Sequence, residues 1–412
     1  MKKHLLIALS LIVTETSFAQ SKINSDQLGG GTNAITTAVP FLLISPDSKQ
    51  GAMGDVGAAT DPDVNSIHWN GSKLAFMDKK FGVGCTVTPW LRLLVPDINV
   101  YYLAGYAKIN DKQTVGASLR YFSLGNIELT DATGTSTGNY KPNEFAIDLA
   151  FSQKLSKNFS LGVATRYIYS GISKAYFNGN SGNAASTFAV DLSMFYKSDK
   201  FKLGGKNCIG TVGLAITNVG AKIKYSNDQN FIPSNLRLGG GLKVEIDDYN
   251  TFGLYVDFNK LLVPTPPIYK YRTDSLGNPT TEIEINPATG KKEIAEGKDP
   301  NVSVPTGIVQ SFGDAPGGFK EEMQEINTSV GMEYSYNKIF AVRAGYFHES
   351  KNKGSRQFFT VGIGANFNVI GVDFSYLIPT TINNPLQRTW RVTLSFNFNG
   401  AGTASDTPKV EP

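Results

Sequence analysis

The stretch TWRVTLSFNF, which runs from Thr389 to Phe398, decides the fold. Its apolar and polar residues alternate, and because successive side chains of a β-strand point to opposite faces, one face is apolar and the other polar. Trp390 and Phe398 end the apolar row, where the aromatic girdles of a membrane barrel lie, and Arg391 is on the other face. A strand of a soluble sandwich alternates in the same way, so the remaining chain decides between the two.

The same alternation begins at Phe81 and recurs in fourteen segments. Most have about 9–12 residues, the length of a tilted strand that crosses a bilayer, and the number is even, as in single-chain bacterial outer-membrane barrels. The sequence therefore predicts an all-β fold, a 14-stranded antiparallel transmembrane β-barrel with an N-terminal plug segment. The predicted strands are 81–88, 98–109, 113–123, 144–155, 158–170, 186–197, 209–219, 235–246, 251–260, 326–336, 339–347, 358–368, 370–378 and 389–398.

The connections between these segments alternate in length. Short ones lie near residues 110, 157, 249, 338 and 369, longer ones lie near 93, 133, 178, 227, 293, 353 and 384, and the turn of about eleven residues near 203 is the exception. Outer-membrane barrels have short periplasmic turns and long extracellular loops. We therefore predict a protein of the outer membrane, surrounded by its lipid, with both termini in the periplasm.

The charged residues of the predicted strands lie opposite the apolar rows. If those rows face lipid, Lys108 at a strand end is the one exception, and the others line the lumen. A lipid-facing charge at mid-depth costs roughly 2–4 kcal/mol, so this distribution favours a barrel over a sandwich. Six basic and seven acidic groups are of mixed sign, which favours an internal network that fixes a plug. They are Arg120, Glu144, Asp148, Arg166, Asp191, Arg237, Lys243, Glu245, Asp257, Glu333, Arg343, Asp373 and Arg391.

The chain divides into four predicted regions. Lys2, Lys3 and the apolar run after them, followed by a cleavage site after Ala19, predict a signal peptide over 1–19. Residues 20–80 do not alternate, and we expect an extended lead followed by small helices that form a plug or periplasmic segment. The barrel then spans 81–398 with a long extracellular loop at 261–325, and 399–412 form a periplasmic tail.

Composition and motifs give no sign of catalysis. The net charge of +4 is too weak for nucleic-acid binding, and only three histidines are present. GAMGDVGAAT, which begins at Gly51, lacks the GK[ST] ending of a phosphate loop, so small residues packed inside a barrel explain it better. His68 lies near serines, but a hydrogen-bonded structural histidine is the simpler interpretation. We predict no enzymatic activity, no cofactor and no metal.

Two further side-chain groups have two interpretations each. Cys85 and Cys208 permit a disulfide, but Cys85 lies in an apolar row and fits a lipid-facing position better. Four glutamates of the long loop suggest calcium ligands, whereas lysines between them favour a solvated hairpin. The glutamates are Glu282, Glu284, Glu293 and Glu296.

The long loop is the candidate interaction site. Loops of this length are usually functional or disordered. It opens with LLVPTPP, from Leu261 to Pro267, and closes with SFGDAPGGFKEE, from Ser311 to Glu322. Apolar, proline-stiffened backbone at a membrane surface suggests a docking surface, and a lid over the barrel's own mouth is the alternative. The candidate partner-binding residues are Leu261, Leu262, Val263, Pro264, Pro266, Pro267, Phe312, Pro316 and Phe319.

Four stretches resemble signature sequences of the PorV family of the type IX secretion system. They are FLLISPDSKQGAMGDVGAATDPDVNSIHWN from Phe41, FIPSNLRLGGG from Phe231, DFNKLLVPTPP from Asp257 and QSFGDAPGGFKEE from Gln310. PorV is similar in fold to the FadL fatty-acid transporters, fourteen-stranded barrels with an N-terminal plug. FadL-like chains often carry Asn-Pro-Ala near the end of the plug, and because Asn70-Gly71-Ser72 stands here, we transfer no fatty-acid site.

The resemblance implies a non-enzymatic role in protein secretion. PorV-like proteins associate with a giant translocon barrel, collect secreted cargo by its folded C-terminal signal domain, and deliver it to an attachment complex with a sortase-like protease. We therefore expect a cargo-binding shuttle with no nucleic-acid partner. The alternative is a FadL-like uptake channel for hydrophobic small molecules, which needs an apolar pocket inside the barrel with an exit to lipid.

Overall fold

Fourteen antiparallel strands, β1–β14, form a closed barrel. The computed structural model describes residues 33–131, 133–174, 176–177, 180–181, 183–225, 229–273 and 279–399. The predicted signal peptide, the first part of the predicted plug and most of the predicted tail lie outside these residues. The strands are Phe81–Pro89, Asn99–Lys108, Gln113–Ser123, Asn143–Lys154, Phe159–Ser170, Ala185–Lys197, Lys206–Gly220, Asn235–Glu245, Asn250–Leu261, Ile326–Tyr336, Phe340–His348, Gln357–Phe367, Ile370–Pro379 and Trp390–Phe398.

The barrel closes because its first and last strands pair with each other. Cys85 of β1 lies opposite Leu103 of β2 on one side and Leu394 of β14 on the other. Each remaining strand pairs with the next along the chain, including β6 with β7. The predicted fold class is confirmed, and the largest difference in strand boundaries is at β7, which begins at Lys206 rather than residue 209.

Helices in the described residues are short. They are α1 Ser48–Gly51, α2 Ser66–Trp69, α3 Val304–Gln310 and α4 Gly318–Gln324, with 3-10 turns at Pro40–Leu43, Gly71–Phe76 and Ile172–Lys174. None of these helices has the length and apolar character needed to span a membrane.

Short strand pairs extend from the barrel ends. In the loops, Ile127–Thr130 pairs with Ser136–Tyr140, Tyr176–Phe177 with Asn180–Ser181, Ile223–Lys224 with Gln229–Asn230, Ile268–Tyr269 with Ile294–Glu296, and Tyr271–Thr273 with Pro279–Ile283. At the opposite end, Phe201–Leu203 pairs with the start of β7, so the unusually long turn predicted near 203 is a small hairpin. We call these two ends of the barrel the loop end and the turn end.

The barrel wall has an apolar outer face and a polar inner face. In β4, Ile147 and Leu149 are 43% and 62% exposed, whereas the alternate residues Glu144 and Asp148 are buried. Lys243, Glu245 and Asp373 are partly exposed, and the other inward charges predicted from the sequence are buried. The apolar rows therefore face outward and the ionic rows inward, as expected.

Lys108 was expected as the exception to this rule, and that expectation is wrong. It follows Tyr102, Ala104 and Tyr106 on the inward face of β2. Its Nζ donates to the carbonyl oxygen of Met77 at 3.1 Å. The charge therefore lies against the chain segment inside the barrel and does not face lipid.

The lumen contains residues 33–80, which we call the lumenal segment. It begins with backbone in no helix, turn or strand over 33–37 and continues through 3-10 turns, α1 and α2. Asn33 is at the loop end, where its amide donates to the carbonyl of Asn352, and the segment leaves at the turn end as β1 begins. The prediction that both termini are periplasmic concerns residues outside those described.

Candidate functional site

Arg120 of β3 holds the start of the lumenal segment. Its guanidinium donates to the carbonyls of Phe41 and Leu42 at 3.3 and 2.7 Å and to Nδ1 of His68 at 2.5 Å. The Phe41 ring stacks on Phe122 with ring centroids 6.0 Å apart. One buried cation therefore fixes the turn at Pro40–Leu43 and satisfies carbonyl groups that lie away from water.

Asp257 of β9 holds the middle of the segment. Its carboxylate is fully buried and accepts the backbone amides of Gly57 and Ala58 at 2.7 and 2.8 Å. Hydrogen bonds from two amides to one carboxylate are stronger than neutral ones. Arg237 of β8 donates a hydrogen bond to the carbonyl of Trp69 at 3.3 Å. A wall carboxylate thus binds amide groups of the lumenal segment, and a wall guanidinium binds one of its carbonyl groups.

The last strand, which decided the fold prediction, also binds the lumenal segment. Arg391 Nε donates to the carbonyl of Ser45 at 3.2 Å, and Thr393 Oγ1 accepts the amide of Ser48 at 2.9 Å. These bonds join residues at the two ends of the chain. The polar face of β14 is thus a contact surface for the lumenal segment and does not border open water.

Other inward charges bind one another across strands. Arg343 contacts Glu333 and Asp373 at 2.6 Å each. Arg166 contacts Asp148 at 2.5 Å and Asp191 at 3.1 Å, where a register shift between β6 and β7 interrupts the regular pairing. Mixed signs therefore form a paired network, as the sequence indicated.

The motif His68-Trp69-Asn70 has a structural role. Trp69 Nε1 donates to Asp47 at 2.6 Å, and Asn70 accepts from Ser72 at the start of the following turn. His68 contacts Arg120 and is 7% exposed. Across the described ranges no group of three His, Cys, Asp or Glu residues is placed to hold a metal. Cys85 is exposed and Cys208 buried, and both are free thiols.

A cavity of about 590 Å³ opens at the loop end, above the turn that Arg120 fixes. Its wall is mostly apolar, and Phe41, one of its lining residues, belongs to the turn Pro40–Leu43. Sequence reasoning did not find this cavity, because its lining residues are far apart in the chain. They are Ala34, Ile35, Thr36, Thr37, Pro40, Phe41, Leu43, Ile44, Trp90, Leu91, Phe122, Leu124, Leu261, Glu325, Asn327, Glu349, Lys353, Gly354 and Arg356.

A buried ionic cluster, the loop clamp, fixes the base of the long loop. Its members are Lys260, Glu321, Glu322, Glu325 and Lys353. Glu325 accepts from Lys260 at 2.5 Å and from Lys353 at 3.0 Å, and it is nearly fully buried. Lys260 also contacts Glu322, and Lys353 contacts Glu321. Removing one member would leave unpaired buried charge, so the cluster holds the two ends of the loop together.

The first half of the candidate site is mainly buried. Leu262 and Val263 are each 2% exposed, Pro264 and Pro267 are buried, and Leu261 and Pro266 are half-buried. Pro266 accepts a hydrogen bond from Asn33 of the lumenal segment. The expectation that these residues form an exposed apolar surface is therefore wrong for most of them, because they pack within their own chain.

The second half of the candidate site carries exposed rings. Phe312 and Phe319 are 56% and 81% exposed, and Pro316 between them is half-buried. Val309 on α3 and Met323 on α4 are 75% and 51% exposed, and sequence reasoning missed both. We use the name apolar patch for these four exposed residues of the closing part of the long loop, Val309, Phe312, Phe319 and Met323. Val309 precedes Phe312 by three residues and Phe319 precedes Met323 by four, and this spacing, which places residues on one helix face, could have indicated both pairs from the sequence.

Three of the four glutamates of the loop hairpin form ion pairs with its basic residues. Lys270 contacts Glu284 at 3.0 Å and Glu293 at 3.6 Å, and Arg272 contacts Glu282 at 3.4 Å. A solvated hairpin explains these residues, as the interleaved charges indicated.

The comparisons with known proteins assign the chain to a family. Residues 27–268, more than half of the chain, match the family model of the type IX secretion system protein PorV. The chain belongs to the PorV family. It is therefore a transport-related outer-membrane component of type IX secretion. Three of the quoted stretches lie inside the match, and Gln310–Glu322 lies beyond it.

Several solved structures are similar at low identity. The toluene transporter TbuX of Ralstonia pickettii is 10% identical, with 86% of this chain and 98% of that chain covered and a TM-score of 0.43. The toluene transporter TodX of Pseudomonas putida is 13% identical, with 85% of this chain and 97% of that chain covered and a TM-score of 0.44. A FadL homologue of Pseudomonas aeruginosa is 12% identical, with 90% of this chain and 99% of that chain covered and a TM-score of 0.38. A comparison with curated protein sequences gave no match.

Proposed function

We propose that this member of the PorV family receives secreted proteins at the translocon and carries them to the attachment complex. Cargo is recognised by its C-terminal signal domain, and the attachment complex contains the sortase-like protease. The observation that carries the proposal is the apolar patch. The loop end, which bears the patch, faces outward in this proposal, and the turn end faces the periplasm.

The apolar patch has the properties of a protein-docking surface. Two exposed phenylalanines are large anchors, and aromatic residues contribute strongly to protein–protein binding. Exposed apolar patches rimmed by polar residues commonly mark interaction sites. Because the loop clamp holds the two loop ends, the patch is presented in a fixed position and less entropy is lost on binding.

The candidate residues then divide into two roles. Leu261, Leu262, Val263, Pro264, Pro266 and Pro267 position the loop from within. Phe312, Pro316 and Phe319 contact the translocon or cargo. The half-buried and buried prolines support this division, since they restrict the backbone that enters the loop.

A double variant, Phe312→Ser with Phe319→Ser, tests the proposal. A tagged wild-type copy should recover a very large barrel and secreted proteins with a common C-terminal domain. The double variant should recover at least about tenfold less of both and should stop secretion. Ile382→Ser is the matched control, because Ile382 is 77% exposed on another loop at the same barrel end. Unchanged recovery and secretion in the double variant would contradict the proposal.

A second candidate function is uptake of hydrophobic small molecules, and the apolar cavity favours it. The turn Pro40–Leu43, which Arg120 binds, lies below that cavity and argues against a continuous route for small molecules through the barrel. Entry of a fluorescent hydrophobic probe into lipid vesicles distinguishes the two functions. Uptake through the reconstituted chain above that of empty vesicles favours the channel, and equal uptake favours the shuttle.

A further inference from the structure

The cavity at the loop end has one wall of unpaired backbone. Ala34, Ile35, Thr36 and Thr37 line it, and they lie in no helix, turn or strand. Within the part of the chain that the structure describes, these four residues form no hydrogen bond. The flanking residues are fixed, since Asn33 donates to Asn352 and Ala38 donates to Phe231. A short segment is thus held between two points, and its peptide groups have no partner among the described residues.

Free peptide groups beside an apolar cavity are a specific kind of binding feature. Three of the four residues are half-buried, so their N–H and C=O groups have restricted access to water. Backbone groups in such positions normally have a partner. An extended peptide supplies one by adding a strand, which pairs donors and acceptors along one edge.

The rest of the cavity defines the chemistry of that strand. Trp90, Phe122 and Leu124 provide apolar wall. The ionic groups at the other side are already paired, because Lys353 contacts Glu325 at 3.0 Å and Arg356 contacts Glu349 at 2.8 Å. A charged occupant would be desolvated without a counter-ion, so an uncharged one fits. The volume of about 590 Å³ lies within the usual range for binding cavities.

We propose that this groove binds an extended, uncharged peptide segment of a secreted protein by strand addition to Ala34–Thr37. This inference rests on the proposed shuttle function and names a second contact for its cargo. A lipid tail fills apolar volume but leaves the four peptide groups unpaired, so the free backbone favours a peptide. None of the four residues of the apolar patch lines this groove, so the groove and the patch offer one cargo two different contacts.

Peptides with blocked edges test the proposal. The full chain is placed in lipid nanodiscs, and fluorescence anisotropy follows a labelled peptide of alternating valine and threonine. Two matched peptides carry N-methyl groups on the valine amides or on the threonine amides, so each lacks the donors of one edge. We expect one methylated peptide to bind at least about tenfold more weakly and the other to bind like the parent.

The variant Ile35→Asp should also weaken binding of the parent peptide by at least about tenfold, because it places a charge in the cavity. Ile382→Asp, at an exposed residue that does not line the cavity, should bind it normally. Equal affinity for all three peptides assigns the cavity to lipid-like molecules and overturns the proposal. Equal loss with both methylated peptides, or absence of binding by the parent, also overturns it.

The two proposals fail in different ways. If the peptide does not bind but secretion still depends on Phe312 and Phe319, only the groove proposal fails. If secretion does not depend on those two residues, the shuttle proposal fails whatever the peptide does.

Discussion

Single residues decide how closely the lumenal segment meets the barrel wall. A Cβ atom at Gly345 would lie 2.1 Å from the carbonyl carbon of Met53, and one at Gly213 would lie 2.0 Å from the carbonyl oxygen of Ala58. No real side chain fits at such distances. Glycine at these inward positions therefore allows backbone to pack directly on backbone.

Gly239 and Gly240, which are neighbours on β8, make this idea testable. A Cβ at Gly239 would lie 2.1 Å from Asp257 Oδ1, whereas at Gly240 the nearest atom is 4.0 Å away. We predict that Gly239→Ala lowers the free energy of unfolding by about 1–3 kcal/mol, because it displaces the carboxylate that binds the lumenal segment. Gly240→Ala should change it little. Urea unfolding followed by gel mobility measures both, and equal stability of the two variants would refute the account.

At the scale of elements, the long loop is a folded part of the molecule with its own pH response. Asp314 lies at its closing end, where Oδ2 accepts the amide of Thr265 at 3.1 Å and Oδ1 is buried without a partner. Burial, together with the nearby charges of Glu322 and Glu325, raises the pKa of Asp314 to about 6, although the hydrogen bond from Thr265 acts to lower it. The carboxyl group of Asp314 thus binds a proton more tightly in the folded loop than in an opened loop.

Acidification should therefore tighten the folded loop through Asp314. Between about pH 4 and 6 this group adds stability as the pH falls, and that stability is lost as the pH rises through its raised pKa. We predict slower cleavage of the loop by proteinase K at pH 5.5 than at pH 7.5, with casein cleavage used to normalise the protease. Asp314→Asn should reduce this difference, whereas Asp299→Asn on the same loop should retain it. A difference unchanged in Asp314→Asn would exclude this residue as the cause.

The sequence predicted elements well where one local rule sets the outcome. Alternation with a period of two placed all fourteen strands, because lipid on one side and protein on the other impose the same pattern on each. The stretch Leu261–Pro267 was interpreted as exposed, since nothing in its own residues shows that Asn33, Asp314 and Glu325 cover it. Those partners are distant in sequence, so burial of the first half of the candidate site could not be predicted locally.

The whole molecule is a closed wall between hydrocarbon and a paired polar interior. That description predicts the cost of a charge on the outer face. Leu149→Arg, at an exposed position in the middle of β4, should destabilise the inserted barrel by about 2–4 kcal/mol. Ile127→Arg, on the loop-end hairpin outside the wall, is the control and should have little effect. Reversible folding in lipid vesicles measures both, and a neutral result for Leu149→Arg would place that residue away from lipid.

The path of the lumenal segment limits the order in which the protein is made. Ser48 binds Thr393, a residue that is synthesised 345 positions later. The segment enters at one end of a ring and leaves at the other, so it cannot slip in sideways once β1 and β14 have joined. We therefore expect the seam between β1 and β14 to close only after the lumenal segment is inside, so that pairing of the last strand completes the assembly.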